Sequence, residues 1–213
     1  MASCYGATSF GSAPVGREAT LLRCPYLPIL QTIMFDNEPE KVELTVFSDT
    51  DSEYAQGMQL MNDVIVEGKS WPYLDQYETM EAYKGYFHSH SAFLVRFTDP
   101  KHGADILGCF YIKPNFPGRC SHVCNGGFIT NPKYRGLGVG SLMGSSFKRL
   151  AKDLGYRSSL FNLVFASNKA SVRLWTKLGF TQLAVIPKVA VLEGEKGYVD
   201  AYQMHCDFYP EES

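Results

Sequence analysis

From Pro132 to Ser141 the chain reads Pro-Lys-Tyr-Arg-Gly-Leu-Gly-Val-Gly-Ser, with glycines at 136, 138 and 140. Alternating glycines let a backbone turn so that successive N–H groups face outward where a helix begins. Such an array binds phosphate, because unsatisfied amides coincide with the positive end of the helix macrodipole. Each charge-assisted hydrogen bond to an anionic oxygen contributes about 1.5–3 kcal/mol, so several together hold a diphosphate without a lysine. Two familiar phosphate loops fail on spacing. A Walker loop requires lysine directly after a glycine, and the dinucleotide fingerprint Gly-x-Gly-x-x-Gly requires a glycine where the chain has Ser141. Arg-x-x-Gly-x-Gly on Arg135, Gly138 and Gly140 is left, beside the plainer reading of a glycine-rich strand-to-helix turn.

Two asparagines stand on runs that should be strands. Asn162 interrupts the apolar stretch SLFNLVFA (159–166), and Asn125 precedes Gly126-Gly127, a pair that suggests a bulge or a backbone approach no Cβ would permit. Cys120-Ser-His122-Val-Cys124 and His88-Ser-His90 invite a zinc reading, since strand residues two apart share a face. No second matching pair follows at a finger-like distance, so packed thiols with a hydrogen-bonded histidine are favoured over a metal. His122 is alternatively a proton relay, its ring titrating near neutrality, or simply a structural histidine.

Periodicity supplies the elements that must position these groups. Lys41–Phe47 alternates as a strand, and Asp51–Glu67 carries a helical apolar stripe stopped by Gly68. A weaker helix is predicted over Tyr77–Phe87, then strands at Ala92–Phe97, Ile106–Ile112 and Phe128–Thr130. Val139, Leu142, Met143, Phe147, Leu150, Ala151 and Leu154 define an amphipathic helix directly behind the glycine loop. Residues 159–166 read as a buried strand, and Ser167-Asn168 cap a short helix ended by Gly179. Phe180–Ile186 and Gly197–Met204 complete the order. Residues 41–206 are thereby predicted to form one α/β domain with a mixed sheet, after an arm at 1–40 with little regular structure and before a tail at 207–213.

The chain has 213 residues, 45% of them apolar, which is ordinary for one globular domain. Twenty basic against 22 acidic residues give a net charge of −2, which argues against a nucleic-acid partner. Six cysteines are too few for a disulfide scaffold, and no apolar run approaches a membrane span of about 18 residues. No secretory signal is recognised, so a reducing, cytoplasmic setting is expected, with mitochondrial import left open.

The glycine loop resembles the acetyl-CoA signature of the GCN5-related N-acetyltransferase (GNAT) family. Asn168-Lys-Ala-Ser-Val-Arg-Leu-Trp-Thr-Lys-Leu-Gly-Phe180 is similar to that family's next motif, and the element order matches its topology. Phe110-Tyr-Ile-Lys-Pro-Asn115, Arg119-Cys-Ser-His-Val-Cys-Asn125 and Ser159-Leu-Phe-Asn-Leu-Val-Phe165 resemble the branch that acetylates the ring nitrogen of azetidine-2-carboxylate, a proline analogue. The resemblance implies a single GNAT-like α/β domain: a mostly antiparallel sheet of about seven strands, splayed between 124–130 and 159–166, with about four helices. It implies acetyl-CoA as co-substrate, a small imino acid as acceptor, no metal, and a possible homodimer.

It places the coenzyme against Phe128, Ile129, Thr130, Arg135, Gly136, Leu137, Gly138, Val139, Gly140, Ser141, Asn168 and Ser171. The catalytic positions it implies are Asn125 and Asn162, with Asn125 and His122 at the substrate. Two departures bear on mechanism: Asn125 stands in the region where many members carry a glutamate base, and Trp175 where many carry a tyrosine acid. Asparagine cannot take up a proton and indole cannot usefully donate one, so the expected catalysis rests on positioning and electrostatics. Acetylation of another small amine or a peptide N-terminus, and a silent acyl-CoA-binding module, stand as alternatives.

Overall fold

Asp36 and Asn37 both take left-handed backbone, with φ of 50° and 66°, in a two-residue turn that folds β1 (Ile29–Phe35) back onto β2 (Glu38–Val46). Positive φ at both central positions gives a twist that matches paired strands, and Asp and Asn tolerate it best after glycine. The structure, a computed structural model, describes residues 16–210; positions 1–15 of the expected arm and 211–213 of the expected tail lie outside these. The described part of the arm is thus more regular than expected. Besides β1 it carries α1 (Arg17–Arg23), held to the sheet by a 2.8 Å hydrogen bond between the Thr20 and Ser91 hydroxyls.

The remaining elements follow the predicted order: α2 (Asp51–Glu67), α3 (Met80–Phe87), β3 (Ser91–Phe97), β4 (Ile106–Pro114), β5 (Val123–Thr130), α4 (Val139–Asp153), β6 (Ser158–Phe165), α5 (Lys169–Lys177), β7 (Thr181–Val191) and β8 (Tyr198–Asp207). The described residues therefore hold five α-helices and eight strands, where about four and about seven were expected; α1 and β1 make the difference. Caps set the boundaries. Thr50 and Thr79 accept N–H bonds from Glu53 and Ala82 at the starts of α2 and α3, and Gly68 ends α2 with a φ of 65°.

The strands run β1-β2-β3-β4-β5-β6-β8-β7 across one sheet, antiparallel except at β5–β6. Central β4 is buried at every residue before Pro114. Ile106, Cys109 and Tyr111 join the core under α2 and α3, while Leu107, Phe110 and Ile112 join the core under α4 and α5. A strand buried on both faces reads as continuous apolar sequence, as this one does. No helix among the described residues is long and apolar enough to cross a membrane.

What positions a site is the one parallel pair. β5 and β6 share only two rungs, Val123↔Ser158 and Cys124↔Ser159, and then separate. β5 stays paired with β4 out to Thr130, and β6 stays with β8 out to Phe165. From Asn125 onward the edge of β5 facing β6 has no strand partner among the described residues, and the sheet opens as a V.

Candidate active site

The glycine loop sits at the open end of the V. Asn131 accepts the Lys133 N–H and donates to the Ile106 carbonyl, starting a short turn in which the Tyr134 hydroxyl donates to Asp105 at 2.7 Å. The chain then climbs through Gly136 and Gly138, with φ of 84° and 86°, and enters α4 at Val139. A Cβ at either glycine would meet nothing within 4 Å, so the requirement is conformational rather than steric. Among the described residues no side chain caps α4, and the N–H groups of 136–141 have no backbone acceptor. Uncapped amides at a helix start suit an anion.

The loop and the first turn of α4 border a cavity of about 920 Å3. Phe128, Ile129, Thr130, Arg135, Gly136, Gly138, Val139, Gly140, Ser141, Asn168 and Ser171 all line it. Leu137 does not; it packs down against the core beside Val139 and anchors the loop. Arg135 also departs from a simple phosphate contact. Its guanidinium makes a bidentate pair with Glu67 at the end of α2, at 2.8 and 2.6 Å. Those bonds hold the Glu67 carboxyl below its ordinary value of 4.5. A lowered folded-state pKa means the pair's stabilisation is complete above that value and is lost as pH falls through the folded one. Denaturant melts of Glu67→Gln should therefore show a deficit of up to about 1 kcal/mol at neutral pH that shrinks below pH 4; an equal deficit at both pH values would refute the linkage.

A second cavity, of about 280 Å3, lies deeper in the V and shares Ser70, Phe128, Asn168, Ser171 and Trp175 with the first. One wall is aromatic: Trp71, Tyr86 and Tyr111. The Tyr86 and Tyr111 hydroxyls are 2.9 Å apart, and burial pushes both phenols up, keeping them neutral. Behind this wall the Lys113 ammonium lies 3.6 Å from the Tyr86 ring centroid and 4.3 Å from that of Tyr111. The Trp71 Nε1 is buried with no protein partner among the described residues.

β5 backs directly onto this wall, with Gly127 paired across the ladder with Tyr111. A Cβ added to Gly127 would come within 2.5 Å of the Trp71 ring and 2.6 Å of Tyr111, and one on Gly126 within 2.9 Å of Phe147. The glycine pair is the close backbone approach that its composition implied. Gly127→Ala should displace the aromatic wall at a cost of about 1–3 kcal/mol. Denaturant melts of Gly127→Ala beside wild type would check that cost.

Asn125 and Asn162 both line this smaller cavity, from β5 and β6 respectively. Asn125 Oδ1 accepts the Gly126 N–H at 2.8 Å, and its Nδ2 has no protein acceptor among the described residues. Asn162 falls where the β6–β8 register slips between Phe161 and Val164, a bulge that re-aims its side chain. Its amide pairs both ways with that of Asn115, at 3.0 and 2.6 Å. The indole of Trp175 donates to Ser171 Oγ at 3.0 Å, and Asn168 caps α5 through the Ser171 N–H. Among the described residues no Asp, Glu, His, Lys or Arg lines the smaller cavity.

His122 is not brought here. It is exposed, in the turn before β5, at the closed end of the V, where its carbonyl accepts the Arg157 N–H. Cys120 is exposed in a 3₁₀ turn and Cys124 is buried in β5, so the three do not share a strand face. Among the described residues no group of three or more His, Cys, Asp or Glu is placed to hold a metal ion. His88 sits against Phe47, Tyr54 and Tyr83, pushed down to about 4 by burial and therefore neutral. Sequence reasoning missed Asn115, Trp71, Tyr111 and Glu67. The one available signal was an asparagine directly after a strand buried at every residue before its final proline.

A model of the acetyltransferase (GNAT) family matches residues 58–180. N-acetyltransferase aca1 of Schizosaccharomyces pombe is 52% identical over 97 residues, which are 46% of this chain and 46% of that protein, so the match spans about half of that relative. A GCN5-related N-acetyltransferase from Kribbella flavida shares the fold at 25% identity and a TM-score of 0.69, over 77% of this chain and 97% of that one. The yncA protein of Salmonella typhimurium, solved with its cofactor acetyl-CoA, does so at 17% identity and a TM-score of 0.65, over 78% and 94%. With more than half of its length matched, and with a split sheet whose open end carries an uncapped glycine loop, the chain belongs to the acetyltransferase (GNAT) family.

Proposed function

We propose that the protein is an acetyl-CoA-dependent N-acetyltransferase whose acceptor is the ring nitrogen of a small proline-like imino acid, such as azetidine-2-carboxylate or a pyrroline-carboxylate metabolite. The larger cavity fits the coenzyme: the amides of 136–141 would hold its diphosphate, and Asn168 and Ser171 border the passage into the V. Bound there, acetyl-CoA supplies the acetyl group as a thioester.

The observation that carries the acceptor assignment is an uncharged cavity lined by two side-chain amides and by an aromatic wall. Amides donate to a carboxylate and accept from a ring N–H, which orients a secondary amine's lone pair. The Lys113 charge behind the wall favours an acceptor that carries its own carboxylate, while no acidic residue of the lining is there to hold a second ammonium. With no lining side chain that titrates near neutrality, the amine's proton leaves through water. That same lack favours a second reading, a silent acyl-CoA-binding module.

A thiol-release assay with acetyl-CoA and azetidine-2-carboxylate, run beside proline and a polyamine, separates the two. Release with the imino acid supports the proposal; tight coenzyme binding without release from any amine supports the module. Two copies are also proposed to associate. Leu183, Val185, Val189 and Val191 are exposed on β7, the unpaired edge strand, which supports this. Light scattering should then give a dimer mass that falls to one chain in Leu183→Lys/Val185→Lys.

A further inference from the structure

Asn115 follows the last residue of β4 and is 1% exposed, with its N–H on the Val123 carbonyl at 2.8 Å. Its side chain reaches past β5 to β6 and closes a reciprocal amide pair with Asn162, 47 residues away. Each amide in the pair donates once and accepts once. A side-chain amide has two N–H donors and two carbonyl lone pairs, so one of each on Asn162 is committed to Asn115 and one of each is left for a ligand. Asn162 stands where the β6–β8 register shifts, and its side-chain amide is held by Asn115. We propose that Asn115 is a positioning residue for acetyl transfer, holding the Asn162 amide in one orientation so that its remaining N–H and lone pair meet the acceptor in the V. This deepens the reading above and rests on its assignment of Asn162 to the acceptor.

The geometry has two consequences. Asn115 touches neither cavity, so its loss should leave coenzyme affinity alone. Its effect on acceptor use should also exist only while Asn162 is present. The test is a double-mutant cycle of Asn115→Asp and Asn162→Ala, measured as thiol release with the amine that the wild-type protein acetylates. Asn115→Asp keeps the shape and the acceptor for Asn162 Nδ2 but removes the donor to Asn162 Oδ1. Acceptor KM should rise about tenfold in Asn115→Asp, as for one lost hydrogen bond, with acetyl-CoA affinity within about twofold of wild type. In the Asn162→Ala background the same change should add less than about twofold.

Fully additive effects, or equal losses of coenzyme and acceptor binding, would overturn the proposal. A readout that needs no acceptor runs beside it: the Asn162 side-chain amide signals in 15N spectra, assigned by their loss in Asn162→Ala, should shift and exchange faster with solvent in Asn115→Asp. Unchanged signals would also overturn it. Shifted signals in Asn115→Asp beside a wild-type protein that ignores azetidine-2-carboxylate would count against the imino-acid assignment alone.

Discussion

Asn125→Ala is expected to raise the acceptor KM by about tenfold or more, because a hydrogen bond to a charged partner contributes about 1.5–3 kcal/mol. The residue lines the smaller cavity, the proposed acceptor site, with its Oδ1 turned to the Gly126 N–H and its Nδ2 without a protein acceptor among the described residues. Alanine removes the donor and leaves β5 in place, since Asn125 pairs through its backbone with Lys113. Acetyl-CoA affinity should stay within about twofold, because the loop amides lie in the other cavity. Steady-state kinetics with varied acceptor, paired with calorimetric titration of the coenzyme, checks both halves. An unchanged kcat/KM would remove Asn125 from the site.

The second large effect is expected at Gly138→Ala. Gly138 holds a φ of 86°, where an alanine costs about 1–2 kcal/mol. Open space around its Cα means that the new methyl would clash with nothing, so any loss is conformational. The strain relaxes by rotating the peptide units that turn their N–H groups outward, and each bond lost to the diphosphate costs about 1.5–3 kcal/mol. Coenzyme affinity should fall by about 10- to 100-fold, with a much smaller loss of unfolding free energy. Gly140→Ala adds no left-handed strain, since Gly140 lies inside α4 and is not at positive φ, so its coenzyme affinity should fall less than that of Gly138→Ala. A Gly138→Ala protein that binds acetyl-CoA like wild type would show that the loop amides do not hold the diphosphate.

The smaller cavity also bears on the two family departures seen in the sequence. The Trp175 indole packs 4.7 Å from Phe128 and 4.6 Å from Phe161 and spends its N–H on Ser171, so it is a wall and a brace for α5 rather than an acid. Asn125 occupies the β5 position facing the V but stays uncharged at every working pH. A cavity without its own carboxylate does not compete with the carboxylate of an amino acid for the same donors.

Much of this was legible in the chain. Asp51–Glu67 was bounded to the residue, because a capping threonine, a 3.6-residue stripe and a left-handed glycine all act within a few positions. The glycine loop was legible for the same reason: outward amides follow from local backbone freedom, and Arg135 through Ser141 lie in one stretch. β1 went unread although Asp36-Asn37 signals a tight turn, because prolines at 25 and 28 and a largely exposed strand masked its pattern.

What the chain by itself determined was local: the helices, most strands, the glycine loop and the polar interruption at Asn162. Only the tertiary structure decided that Asn162 would meet Asn115, that Arg135 would be tied to Glu67 across 68 positions, and that Trp71 and Tyr111 would close on Gly127. It also removed His122 from the cleft, because the two rungs joining β5 to β6 fall beside it and the strands part only beyond them. Contacts of this kind depend on sheet order and on one bulge, and neither leaves a periodic trace in the residues that come together.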